Sequence, residues 1–290
     1  MDVQQIKTFL AVVAHGSFLE AAAQVHVTQS TVSARIQNLE RSLGARLFVR
    51  NRAGATLTPA GQRLVRHAKT FLFTFEQARH DVGLPSRFRA SLTIGARIAL
   101  WDEFLPRWAG RMRALAPDIS LNTEIGFEED LMRRIIAGTM DLALMYSPQQ
   151  GAGLQVEHLF DETLILVARD AEQTGPDDRY VYVDWGPTFY AQHRKVYPDL
   201  ERPAQNANIG WLGLQLILAN GGSCFVPERV ASAYLRGGCL HRTDTPPLSL
   251  PAYVVYATET ESSEVDTALS VLRALVDEGA AMAGPKRSDQ

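Results

Sequence analysis

The sequence predicts an α/β protein in three parts: an α-dominated winged helix-turn-helix head, a linker helix, and a two-lobed α/β domain. Three observations predict this. Short helical hydrophobic patterns fill residues 1–58, one long apolar seam runs from 59 to 82, and strands alternate with helices beyond residue 90. Charge divides at the same place. Residues 1–89 hold 12 Lys+Arg against 5 Asp+Glu, a net +7, which leaves residues 90–290 at −10 within a whole-chain −3. A basic head on an acidic remainder points to a polyanionic partner for one part only. The expected boundaries are 1–58, 59–82, a hinge at 83–89, and 90–290. The last divides into lobes near 90–161 plus 262–290, and 162–261.

Ile6, Phe9, Leu10 and Val13 set the first helix, ended by His15-Gly16-Ser17. The second, Phe18 to Val25, carries Ala21-Ala22-Ala23, small residues that let another helix approach. Thr28 offers an N-cap hydroxyl to a third helix that buries Val32, Ile36, Leu39 and Leu43 and stops at Gly44. The short turn before it gives helix-turn-helix spacing. Its opposite face presents Gln29, Ser30, Thr31, Ser33 and Arg35, where a helix laid in a major groove meets base edges. Glutamine suits adenine and arginine suits guanine. Thr28 joins this candidate interface, as do Arg50 and Arg52 ahead of Ala55-Thr56-Leu57-Thr58, a wing that can reach phosphates or the minor groove.

Thr58 and Pro59 open the long helix as N-cap and N1. Leu64, Ala68, Phe71, Phe75, Ala78 and Val82 alternate in steps of four and three, the seam of a coiled coil. The helix is expected to pair two chains into a homodimer, which suits a pseudo-palindromic double-stranded DNA site. Gly83-Leu84-Pro85-Ser86 breaks it.

Beyond the hinge the expected order is strand Leu92–Gly95, helix Ile98–Leu115, strand Leu121–Ile125, helix Glu128–Ile136 and strand Met140–Met145. Strands Leu164–Val167 and Tyr180–Val183 follow, then helix Leu212–Ala219, strand Cys224–Val226, helix Pro227–Leu235, strand Tyr253–Tyr256 and helix Glu264–Val276. Such alternation implies doubly wound structure, with a ligand crevice at the strands' carboxyl ends.

The run Phe9-Leu10-Ala11-Val12-Val13, Gly16-Ser17-Phe18, Ala21-Ala22, Thr28-Gln29-Ser30, Val32-Ser33, Ile36, Leu39-Glu40, Leu43-Gly44, Leu47-Phe48, Arg50 and Leu57-Thr58-Pro59-Ala60-Gly61 closely resembles the amino-terminal domain of LysR-type transcriptional regulators. The resemblance implies a dimerising linker helix and an effector domain similar to periplasmic binding proteins. It implies homodimers or homotetramers, with RNA polymerase as a further candidate partner. Where many members carry arginine directly after the serine, this chain has Ala34, and its arginine is Arg35. The groove-reading role carries over; a base preference does not.

The resemblance also implies that loop 95–101, the helix start at 127 and segment 184–189 line the effector crevice. Ala99 and Phe127 stand where members that bind small acids often have hydroxyls. The candidates are Arg97, Ala99, Trp101, Phe127, Trp185, Pro187 and Phe189. They suggest an aromatic-walled pocket for either an organic acid held by Arg97 or a cation in an aromatic cage. Trp101 and Asp184-Trp185-Gly186-Pro187 are similar to a subset of the family that includes repressors of flagellar master genes.

No Gly-x-Ser-x-Gly, His-Glu-x-x-His, Walker or Gly-x-Gly-x-x-Gly motif occurs, which disfavours an enzyme. The histidines lack ligand spacing, so neither metal nor cofactor is expected. Cys224 reads as structural, and a redox role for Cys224 or Cys239 is disfavoured. No apolar run approaches the ~18 residues of a membrane span. The amino terminus resembles no secretory signal, and the cysteine usage suits the reducing cytoplasm. A nucleoid-structuring protein is the remaining alternative, but it would leave the acidic part without a task.

Overall fold

The computed structural model describes residues 1–51, 54–200, 203–258 and 262–283. Two compact units meet between Leu84 and Pro85, inside the expected hinge. The hinge is narrower than expected, because the Arg89 N–H already donates to the Asp118 carbonyl at 2.8 Å and its guanidinium pairs with Asp118 and Glu264.

In the head, α1 (Val3–His15) opens with a capping box in which Gln5 N–H donates to Asp2 Oδ1 at 2.8 Å and Asp2 N–H to Gln5 Oε1 at 3.2 Å. Gly16, at φ 64°, closes it. Ser17 caps α2 (Phe18–Gln24), and Thr28 caps α3 (Gln29–Leu43) through Thr31 N–H at 3.2 Å. Strands β1 (Phe48–Asn51) and β2 (Gly54–Leu57) pair antiparallel as the expected wing. Glu40 ties α3 to this wing by accepting the Leu47 N–H at 2.7 Å. Phe9 and Phe18 both pack on Phe48, with ring centroids 5.4 and 5.8 Å away.

Helix α4 (Pro59–Val82) has the expected limits, but its seam divides. Ala68 is buried in the head's core, and Leu64 and Phe71 pack against the same core. Phe75 is 37% exposed, Val82 90% exposed, and Ala78 exposed. The expectation of one continuous intermolecular seam is therefore corrected. The stretch of α4 from Leu64 to Leu72 packs on the head's core, because three short helices leave their own apolar face open, and a Lys7–Glu76 ion pair at 2.8 Å ties α1 to α4 beyond it.

The second unit centres on a mixed sheet ordered β10-β6-β11-β5-β3-β4, with β9 also on β6. Its strands are β3 (Ala90–Ala96), β4 (Ile119–Ile125), β5 (Leu142–Met145), β6 (Leu154–Ala168), β9 (Ser223–Pro227), β10 (His241–Arg242) and β11 (Leu248–Ala257). β7 (Val181–Val183) and β8 (Gln205–Ala207) form a separate parallel pair. Helices α5 (Phe104–Leu115), α6 (Glu128–Ile136) and α10 (Ser263–Ala283) accompany the first lobe. Helices α7 (Pro187–Val196), α8 (Gly210–Asn220) and α9 (Glu228–Arg236) accompany the second. The expected lobe boundary at 161/162 falls inside β6, which pairs with β11 along its first part and with β9 at its end, so the lobes share a strand. The other boundary, at 261/262, borders residues outside those described.

The expected helix Ile98–Leu115 is broken. A 3-10 turn, Ile98–Trp101, precedes α5, and Glu103 between them has φ 64°. Pro106 supplies the reason: it has no N–H to offer the Asp102 carbonyl, which a continuous helix would need. That carbonyl instead accepts from Arg229, as does the Ala99 carbonyl at 2.6 Å.

Candidate functional site

On α3, burial of Val32, Ile36 and Leu39 turns the opposite face outward. Thr28, Gln29 and Ser30 are exposed, and Thr31 and Ser33 partly so. The Thr28 hydroxyl lies 2.8 Å from those of both Ser30 and Thr31, which orders this first turn. Arg35 departs from the expectation of a free groove-reading side chain. Its Nη1 donates to Thr8 Oγ1 at 3.2 Å, tying α3 to α1. The same outward face carries Ala34, Gln37, Asn38 and Arg41, all exposed and absent from the sequence-based set. The complement of the buried 32-36-39 rhythm would have found them. Arg50 pairs through its backbone with Ala55, while its side chain and all of Arg52 lie outside the described residues.

In the second unit, the carboxyl ends of β3, β4, β7 and β8 converge on a crevice. Arg97, Phe127, Glu128, Asp184, Trp185 and Asn208 line a cavity of about 320 Å³ there. Arg97 follows β3 and is only 6% exposed. Its Nη1 lies 3.1 Å from Glu128 Oε2, its Nη2 donates to the Asn208 carbonyl at 3.3 Å, and its Cζ lies 4.9 Å from the Phe127 ring centroid. The expected anion-seeking arginine is thus already paired, by a carboxylate in the first turn of α6, where a helix dipole favours one.

Trp185 is buried, donates its indole N–H to the Phe225 carbonyl at 3.0 Å, and meets Tyr146 edge-on at 5.9 Å. Gly210 at the start of α8 is needed beneath it, since a Cβ there would lie 2.3 Å from the indole. On the other side of Trp185, Ala99, Trp101, Trp211 and Tyr234 border a second cavity of about 260 Å³. Trp101 is held by its N–H to the Glu124 carbonyl at 2.9 Å.

Two candidates fall elsewhere. Phe189 is fully buried in the second lobe, its ring centroid 5.7 Å from those of both Tyr182 and Phe225. Pro187 is exposed and borders an adjoining cavity of about 790 Å³ beside α7, which shares Asp184 and Gly186 with the crevice cavity and is also lined by Tyr182, Tyr190, His193 and Tyr197. Both departures have one cause: 187–196 is a helix whose inward face turns Phe189 into the core. Burial holds the His193 imidazole below its ordinary value and, with Asp184 nearby, pushes the Tyr182 phenol up to about 12.

Sequence reasoning missed a buried network behind the crevice. Glu162 accepts from Arg229 and from the Tyr146 hydroxyl, the latter at 3.2 Å. Burial pushes the Tyr146 phenol well above its usual range. Cys224 is buried, and burial pushes its thiol up, against any thiolate role. Cys239 is exposed and free.

Residues 3–62 match the family described as bacterial regulatory helix-turn-helix protein, lysR family, and residues 86–280 match the LysR substrate binding domain. The HTH-type transcriptional regulator HdfR of Yersinia pestis (strain Pestoides F) is 30% identical over 268 residues, covering 88% of this chain and 90% of that protein. HdfR of Yersinia pseudotuberculosis serotype O:1b (strain IP 31758) matches equally. Among solved structures, CbnR, a LysR family transcriptional regulator, superposes with TM-score 0.74 at 18% identity over 95% of this chain and 99% of that one. Full-length CbnR complexed with its target DNA gives 0.73 at 20% identity, over 95% and 100%.

Proposed function

The chain belongs to the LysR family of bacterial transcriptional regulators, and we propose that its head reads a specific DNA site under control of a small molecule bound in the crevice. The carrying observation is the first turn of α3: Thr28, Gln29 and Ser30 stand exposed on a helix whose other face is locked into the head's core. Those side chains, with Ala34, Gln37 and Asn38, supply base-edge contacts, while Arg46, exposed in the loop after α3, and the wing arginines Arg50 and Arg52 fix register on phosphates. Two heads are joined through the exposed carboxyl-terminal half of α4, giving a homodimer or a dimer of dimers on a pseudo-palindromic site.

Arg97, Phe127 and Trp185, with Ala99 and Trp101 behind, form the effector walls. A ligand alters DNA binding by favouring one arrangement of the lobes over another, which requires tighter binding to that arrangement. The protein acts where the chromosome is, in the cytoplasm, with RNA polymerase as a further candidate partner. No helix among the described residues is long and apolar enough to cross a membrane.

A mobility-shift competition tests the reading. The shifted complex on an operator from a genome-wide binding map should survive excess random DNA. Equal competition by random DNA would replace it with a structural, non-specific role. Affinity should fall steeply with salt in either case, because phosphate contacts release counterions.

A further inference from the structure

The 320 Å³ crevice cavity is lined by one guanidinium and two carboxylates. Arg97 is satisfied three ways, by Glu128, by the Asn208 carbonyl and by the face of Phe127. Glu128 already fills the place that a ligand carboxylate would take between a buried arginine and the start of α6. An incoming acid would have to displace it and then lie against a cavity wall that also carries Asp184. Asp184 gives one oxygen to the Gly186 N–H at 3.0 Å and has no cationic partner among the described residues. The local balance is therefore negative beside an aromatic face that is half exposed.

We propose that the crevice takes a small organic cation, an amine or amidine on a flat apolar body, with Asp184 as its counter-ion and Glu128 as the residue that excludes carboxylates. This rests on the crevice being the effector site. A cavity of this volume suits a one-ring molecule. The positive group sits at Asp184, and the ring lies against Phe127 and the edge of Trp185.

Isothermal titration of the full-length protein with benzamidine and benzylamine, against benzoate and phenylacetate, tests the proposal. The cations should bind saturably and the acids should not. Asp184→Asn, whose amide oxygen can still accept from Gly186, should weaken cation binding at least tenfold. Glu128→Gln should weaken it too and let benzoate bind, because Arg97 is then uncompensated. Benzoate binding to the unaltered protein and lost in Arg97→Ala would overturn the cation class while leaving the crevice as the effector site. Cation binding equal in both variants would place the ligand elsewhere and overturn the crevice reading itself. Silence of both cations up to about 10 mM would overturn the proposal.

Discussion

The Arg229 guanidinium grips the Glu162 carboxylate with two nitrogens, Nε to Oε1 at 2.9 Å and Nη2 to Oε2 at 2.7 Å. The same guanidinium reaches the Ala99 and Asp102 carbonyls, so one side chain of α9 holds the loop beside the crevice to the strand shared by the lobes. Glu162 is 5% exposed, and removing its partner leaves a buried charge. Arg229→Met should cost about 3 kcal/mol in urea unfolding. Tyr146→Phe should cost about 1 kcal/mol, because it removes one hydrogen bond. Adding Glu162→Gln to Arg229→Met should recover part of the loss; no recovery would show that the carboxylate is not the cause.

Base reading and phosphate contact should separate on α3 and the loop after it. Gln29→Ala should weaken binding to the operator by about 1–3 kcal/mol and leave random DNA nearly unchanged. Arg46→Ala should weaken both and reduce the salt slope by about one. Filter-binding titrations across salt concentrations measure the two together.

Subunit association should depend on the exposed half of α4 alone. Phe75→Asp should shift the protein towards monomer in sedimentation without lowering the head's melting temperature. Leu64→Asp, at a half-buried position packed on the head's own core, should lower the head's melting temperature. A Phe75→Asp protein that still sediments as an assembly would show that other surfaces hold the subunits.

His193 makes the second unit sensitive to mild acid. Burial and the neighbouring Arg194 lower its pKa from the usual 6.5, while its Nε2 lies 3.0 Å from the Tyr180 hydroxyl. The unfolded chain therefore binds a proton more readily than the folded one, and stability falls as pH drops below about 6.5. Denaturant melts from pH 7 to pH 5 should show this slope, and His193→Gln should flatten it. Glu157, held down by Arg273, and Glu264, held down first by Ser262, have pKa values below 4.5, so their contribution is lost only at lower pH.

Most of the head could be read along the chain because its signals are local: the apolar spacing of Ile6, Phe9 and Val13, the cap Thr28, and the stops Gly16 and Gly44. The division of α4 could not. A row of apolar residues tells that a face is covered, not whether Phe48's core or a second chain covers it. Arg97 was found, but its pairing with Glu128 joins separate strand ends, and no periodicity encodes such a pair. Two misses had local signals after all. Pro106 forbids the continuous helix, and Gly186-Pro187 marks a helix start with proline at N1.

The shared strands have a mechanical consequence. β6 pairs with β11 from Leu154 to Leu164 and with β9 from Leu164 to Ala168, while Gln192 of α7 is fastened to Ser249 on β11 by two hydrogen bonds. The lobes are thus joined by a ribbon rather than a slack thread. Any change in the angle between the lobes therefore has to bend or twist that ribbon.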